Sequence, residues 1–289
     1  MGITLKIKSY LIFTKFRLSV LVILSAISGY LFAGGNNFIE LLFLIFGGIL
    51  VTAASNGANQ IWERKIDALM DRTKSRPLPA KKMTVLEGVI VVIICLIIGG
   101  FLLFELNFNS FMLGICAFVT YVFIYTPLKR KTPWAVIVGA FPGAIPPMLG
   151  AIAYTNEFGA MPGALFFVQF VWQLPHFWAI AWVLDDDYAK GGFNLLPSSS
   201  RKSKLTAFRI QFASLLLIPF SLFPWLLALD GITKFSVIGA SLLGLVFYLY
   251  AYKLYLSLND KDAKKLMFAS FIYLPMIQFV YVADKFLTL

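Results

Sequence analysis

Asn59, Glu63, Asp67 and Asp71 recur at intervals of four. Each step of four on an α-helix turns about 400°, so neighbours drift by only about 40° and all four share one face if the helix continues. Thr52, Ser55 and Asn56 extend this polar stripe back along the chain. Such a face offers hard oxygen donors. Mg²⁺ takes one or two carboxylates, keeps some waters and completes its shell with substrate phosphate oxygens. The alternative is a solvated helix end in which Glu63 and Asp67 pair with Arg64, Lys65 or Arg72 at helical spacing.

A second acidic cluster, Asp185, Asp186 and Asp187, shifts the balance, because three adjacent carboxylates repel one another unless a cation or basic partner is near. Basic residues gather around both clusters: Arg72, Lys74 and Arg76; Lys129, Arg130 and Lys131; Lys190, Arg201, Lys202 and Lys204. Arg72, Arg76, Lys129 and Arg130, with Lys190 beside the second cluster, are the candidates for holding phosphate. Acids for metal and bases for phosphate imply an anionic head group, and a prenyl diphosphate fits.

The third signal is His176, the only histidine, within WQLPHF. Gln169, Gln173, His176, Ile180, Leu184 and Asp187 follow spacings of three and four, which puts them along one helical side. The imidazole then lies about 13 Å below the second acidic cluster. Pro175 removes a backbone donor and can kink the helix there. His176 either lines a substrate site with Trp172 and Gln173 or makes a hydrogen-bonded helix contact with Gln173 or Gln169. Trp172, Phe177 and Tyr125 are candidate aromatic walls for a cationic intermediate.

The elements that position these groups are membrane spans. The 289-residue chain is 60% hydrophobic and only 13% charged, against about 25% charged for a soluble domain. A span needs roughly 20 apolar residues. Nine runs qualify, near 10–33, 39–61, 84–104, 109–126, 134–153, 162–184, 206–228, 234–256 and 266–286. This predicts an all-α polytopic membrane protein with one intramembrane domain over 1–289. Lys and Arg collect at the N-terminus and after spans two, four, six and eight, which predicts a cytoplasmic N-terminus and an outer C-terminus. Both acidic clusters then face the cytoplasm. The +11 charge reports topology and contact with lipid head groups, with no need of a nucleic acid. Cys95 and Cys116 fall inside spans as packing residues.

NQIWERKIDALMDRTKSRPLP (59–79) resembles the Asn/Asp-rich first signature of the UbiA-type intramembrane prenyltransferases, and MDRTKSRPL is similar to its haem-directed branch. WQLPHF followed by DYAKGGFNLLP resembles that branch's second signature, and YTPLKRKTPWAVIVGAFPGAIPPMLG the segment between the two. TKFRLSVLV resembles its opening motif, with Phe16 where proline is usual. Glu63 replaces the Asp of much of the superfamily, so the oxygen ligand reaches one methylene further.

The resemblance implies a nine-helix UbiA-type bundle in a bacterial inner membrane, with its active site at the cytoplasmic side. It implies a reaction in which farnesyl diphosphate and haem B give haem O and pyrophosphate. Mg²⁺ would be held by Asn59, Glu63, Asp67 and Asp187, and the diphosphate by Arg72, Arg76, Lys129, Arg130 and Lys190. His176 would contact haem as an axial ligand or through a propionate. The expected partners are the two substrates, membrane lipid and a downstream haem O acceptor. Two alternatives stand beside this: prenylation of a quinone-precursor ring, and a cation-coupled transporter in which Pro142, Pro146, Pro147 and Pro175 break helices at the midplane.

Overall fold

The computed structural model describes the backbone of residues 3–288 and the side chains of residues 5–288. Within them the fold is helical throughout: α1 (Ile3–Phe13), α2 (Phe16–Phe32), α3 (Phe38–Asp67), α4 (Val85–Leu106), α5 (Phe108–Val119), a π-helical turn (Thr120–Tyr125), α6 (Thr126–Leu128), α7 (Ala135–Thr155), α8 (Ala160–Val183), α9 (Asp185–Lys190), α10 (Lys204–Ser221), α11 (Phe223–Leu226), α12 (Lys234–Ser257) and α13 (Asp260–Leu287). Eight helical stretches are long and apolar enough to cross a membrane, and α1 with α2 forms a ninth, bent by 47°.

Most long helices start where a short polar side chain can take an orphan N–H group. Asn37, Thr84, Asn107, Ser203, Thr233 and Asn259 each accept from the first turn of the helix that follows, and Thr84 completes a capping box with Glu87. The predicted first span, 10–33, is the one that differs in kind, because it is broken. Lys15 takes a left-handed conformation (φ 49°, ψ 48°) that stops α1. The carbonyls left over at that end are taken by α3: Gln60 Nε2 donates to Ile12 O and Phe13 O, and Asn56 Nδ2 to Thr14 O.

Apolar side chains bury themselves in two cores. One lies among α8, α10, α12 and α13, and the other among α2 to α5 with α7. The buried share of each hydrophobic window places α7 (61%) and α8 (67%) at the centre and α4 (17%) at the rim. The large apolar side chains that remain exposed on the rim suit a lipid solvent, which satisfies no polar group. α2 meets α7 backbone to backbone: a Cβ at Gly29 would strike the Pro147 carbonyl, and one at Gly150 the Ala26 carbonyl.

α7 and α8 run unbroken through their prolines, and the expected kink at Pro175 does not interrupt α8. Pro147 has no N–H for Gly143 O, four residues earlier. Gln169 Nε2 supplies the missing donor at 2.7 Å. The midplane breaks that a transporter reading calls for are therefore not present in α7 or α8.

Candidate functional site

α3 delivers its oxygen-bearing face to one end of the bundle, where Asn59, Glu63 and Asp67 are all buried, at 1%, 4% and 0% exposure. So little exposure for two carboxylates requires partners, since an unpaired buried charge is costly. Each comes from a different element. Lys129 Nζ, just beyond α6, lies 2.7 Å from Glu63 Oε1. Arg76 Nη1, in the loop after α3, donates to both oxygens of Asp67 at 2.8 Å. Thr73 braces that loop, its hydroxyl donating to Asp67 O.

The π-helical turn positions the third group. Its wider winding leaves Thr126 Oγ1 free to donate to Tyr121 O at 2.9 Å while accepting from Asn59 Nδ2 at 3.0 Å. The same turn sets Tyr125 beneath Lys129, whose ammonium lies 4.9 Å from the ring centroid. Insertions of this kind into α-helices often mark functional sites.

The four-residue spacing holds only as far as the helix does. α3 ends at Asp67, so Asp71 leaves the shared face and sits exposed, paired with Lys74 at 2.6 Å and with Lys190. These two ammonium groups, Lys190 first, pull the Asp71 carboxyl down to about 2, and Asp71 in turn raises Lys190.

α8 ends at Val183 and α9 starts at Asp185, so the second cluster stands on a separate short helix and the predicted stripe from Gln169 to Asp187 is interrupted at Leu184. Its three acids have three fates. Asp185 pairs with Arg201 Nε at 2.9 Å. Asp186 is 89% exposed, with Arg201 only at 3.7 Å. Asp187 reaches the loop after α3, where Oδ1 accepts from Asp71 N at 2.8 Å and Oδ2 from Arg72 N at 3.3 Å. The two acidic segments thus meet at one end of the bundle. Arg72 lies over the Tyr188 ring at 5.3 Å, which ties the loop to α9 a second time.

Arg130 is exposed and lines a cleft of about 510 Å³ with Trp62, Glu63, Arg64 and Thr126. His176, Gln173 and Trp172 are buried in α8 but diverge. Gln173 Nε2 turns to α7, donating to Ala140 O at 3.0 Å. Trp172 and His176 turn to α13: Trp172 Nε1 donates to Ser270 O at 3.0 Å, and His176 Nδ1 lies 2.7 Å from Ser270 Oγ. Trp172 stacks on the imidazole at 4.4 Å, and Phe177 and Phe271 present edges to it. The helix contact expected with Gln173 or Gln169 is made with Ser270 instead.

The oxygen donors of α3 fit Mg²⁺ in chemistry. Among the described residues no three His, Cys, Asp or Glu side chains converge, so the protein's part of such a shell is incomplete without substrate oxygens. Sequence reasoning missed Lys15 and Thr126. Lys15, at the α1–α2 break, lies within electrostatic reach of Glu63, Asp67, Arg76 and Lys129. Its one sequence signal was its place in TKFR.

The profile of the UbiA prenyltransferase family matches residues 22–274. The chain is 44% identical to a protoheme IX farnesyltransferase of Cytophaga hutchinsonii, over 96% of this chain and 98% of that one. It is 46% identical to one from Christiangramia forsetii, over 95% and 92%. Among solved structures it resembles a digeranylgeranylglyceryl phosphate synthase (TM-score 0.79, 20% identity, 97% and 98% covered). It also resembles a UbiA homologue from Archaeoglobus fulgidus bound to GPP and Mg²⁺ (TM-score 0.66, 15% identity, 95% and 99% covered). At these identities the solved structures speak for the fold.

Proposed function

The chain belongs to the UbiA prenyltransferase family, and from that membership we propose that it transfers a farnesyl group from farnesyl diphosphate to a vinyl group of haem B, giving haem O and pyrophosphate. The observation that carries this reading is the meeting of α3, the loop after it, α6 and α9 at one end of the bundle, with buried carboxylates facing buried cations.

Asn59, Glu63 and Asp67 would be the principal holders of Mg²⁺. Asp187 would join them with the lone pairs that its two amide contacts leave over. An ion held there would supply positive charge against that developing on the leaving diphosphate. Arg76 and Lys129, already held by Asp67 and Glu63, turn to the diphosphate oxygens through charge-assisted hydrogen bonds. Arg72, Arg130 and Lys190 stand at the rim and draw the anion in.

The C1–O bond breaks to leave an allylic cation, the vinyl carbon bonds to C1, and water captures the new cation as a hydroxyethyl group with loss of a proton. Tyr125 would face the charge and Trp172, Phe177 and His176 the haem, with Gln173 on the α7 side of the same helix. The charge pattern of the connections supports an active site on the cytoplasmic side of a bacterial inner membrane, in a single domain over 1–289.

Purified protein incubated with Mg²⁺, farnesyl diphosphate and either haem B or 4-hydroxybenzoate tests the assignment by mass spectrometry. Farnesylated haem is expected. Prenylation of the aromatic acid alone overturns it.

A further inference from the structure

Ser270 lies in the middle of α13, far in sequence from every motif, yet it holds two residues of α8 at once. Its backbone carbonyl takes the Trp172 indole N–H at 3.0 Å, and its hydroxyl lies 2.7 Å from His176 Nδ1. A third contact settles the direction of that last bond. Ser270 Oγ is 2.6 Å from Met267 O. A carbonyl oxygen only accepts, and a hydroxyl has one proton to give. The serine proton is committed to Met267 O, so the imidazole must be the donor to Ser270 Oγ.

His176 thereby carries a proton on Nδ1, and a ring buried in an apolar helix with no ion-pair partner among the described residues is neutral, which leaves the lone pair on Nε2. Nε2 makes no hydrogen bond among the described residues and is not one of the fully enclosed polar atoms. The residue as a whole is 7% exposed. Stacking on Trp172 (interplanar angle 17°) and the edges of Phe177 and Phe271 stop the ring from turning. A neutral imidazole that is locked, oriented through its other nitrogen and left with an open lone pair is the arrangement proteins use to present a metal ligand.

The geometry points to Ser270 as a positioning residue that holds His176 ready to bind the iron of the haem substrate through Nε2. A lone pair cannot donate to a propionate, so of the two haem contacts considered for His176 the axial one is selected. This rests on the haem-prenylating reading above. Trp172, stacked on one face of the ring, keeps the imidazole plane in place.

The full-length protein in detergent is titrated with haem B and followed by Soret absorption and by the iron–histidine signature in resonance Raman or EPR spectra. The unsubstituted protein is expected to show a histidine-ligated haem. His176→Gly should lose that signature and regain it with added imidazole. Ser270→Ala should weaken haem affinity by about 10- to 100-fold, the usual penalty for removing the partner of a ligating histidine. It should leave the KM for farnesyl diphosphate unchanged, which also certifies folding, and Ser270→Thr should restore the wild-type spectrum. Unaltered haem affinity and spectrum in Ser270→Ala, or a histidine signature that persists in His176→Gly, overturns the inference and leaves the proposed reaction standing. An unsubstituted protein that neither binds nor farnesylates haem removes both.

Discussion

The two acidic segments, one spaced by four residues and one consecutive, differ in space as well as in sequence. On α3 the carboxylates are buried and each meets a cation from another element, Glu63 with Lys129 and Asp67 with Arg76. On α9, three consecutive carboxylates share one short helix, and two of them fasten chain to chain: Asp185 to Arg201 and Asp187 to the backbone after α3. The α3 acids Glu63 and Asp67 are thus kept out of water against cations, an arrangement that costs desolvation. Of the α9 acids, Asp187 sets the geometry of the loop after α3.

The largest effect that tests this contrast is at Asp67. Asp67→Asn keeps the shape and removes the charge that faces Arg76. It should lower kcat by about 10²–10³-fold, as read by pyrophosphate release, with little change in thermal unfolding. Lys129→Ala comes next and strikes stability as well. It strands the buried Glu63 carboxylate at a cost of about 3–5 kcal/mol, which a detergent-solubilised unfolding curve would detect.

Asp187→Asn should lose only about tenfold, a contribution near 1.4 kcal/mol, because the amide oxygen can still accept from the loop. A larger loss there than at Asp67 would reverse the ranking and make α9 the main metal-binding segment. The smallest effect belongs to Asp71→Ala, which breaks an exposed pair. The Asp71 carboxyl is depressed to about 2, so its pairing is fully present above its unfolded value near 3.9 and fades only as pH falls through about 2. Turnover between pH 5 and 8 should not report it, and a pH–rate profile of the variant checks this.

The sequence carried the α3 face as far as Asp67 because spacing of four is meaningful only inside a helix; Asp71 fell outside when the chain turned at Ala68. It also carried the spans, since length and apolar content are local properties. The Lys15 break was not legible, for the lysine of TKFR gives no sign that its backbone turns left-handed. Ser270 had still less to show. A lone serine in a hydrophobic helix has meaning only through partners 94 and 98 residues away. Thr126 gained its two contacts from a π-helical turn that no periodicity announces.

The bond from Gln169 to Gly143 has a bearing on biogenesis. A carbonyl robbed of its own helix's donor finds no substitute among acyl chains, so α7 is ill suited to cross the bilayer alone. With only residues 156–159 between them, α7 and α8 are fitted to leave the translocation machinery as a pair, each half supplying what the other lacks before any neighbouring helix arrives.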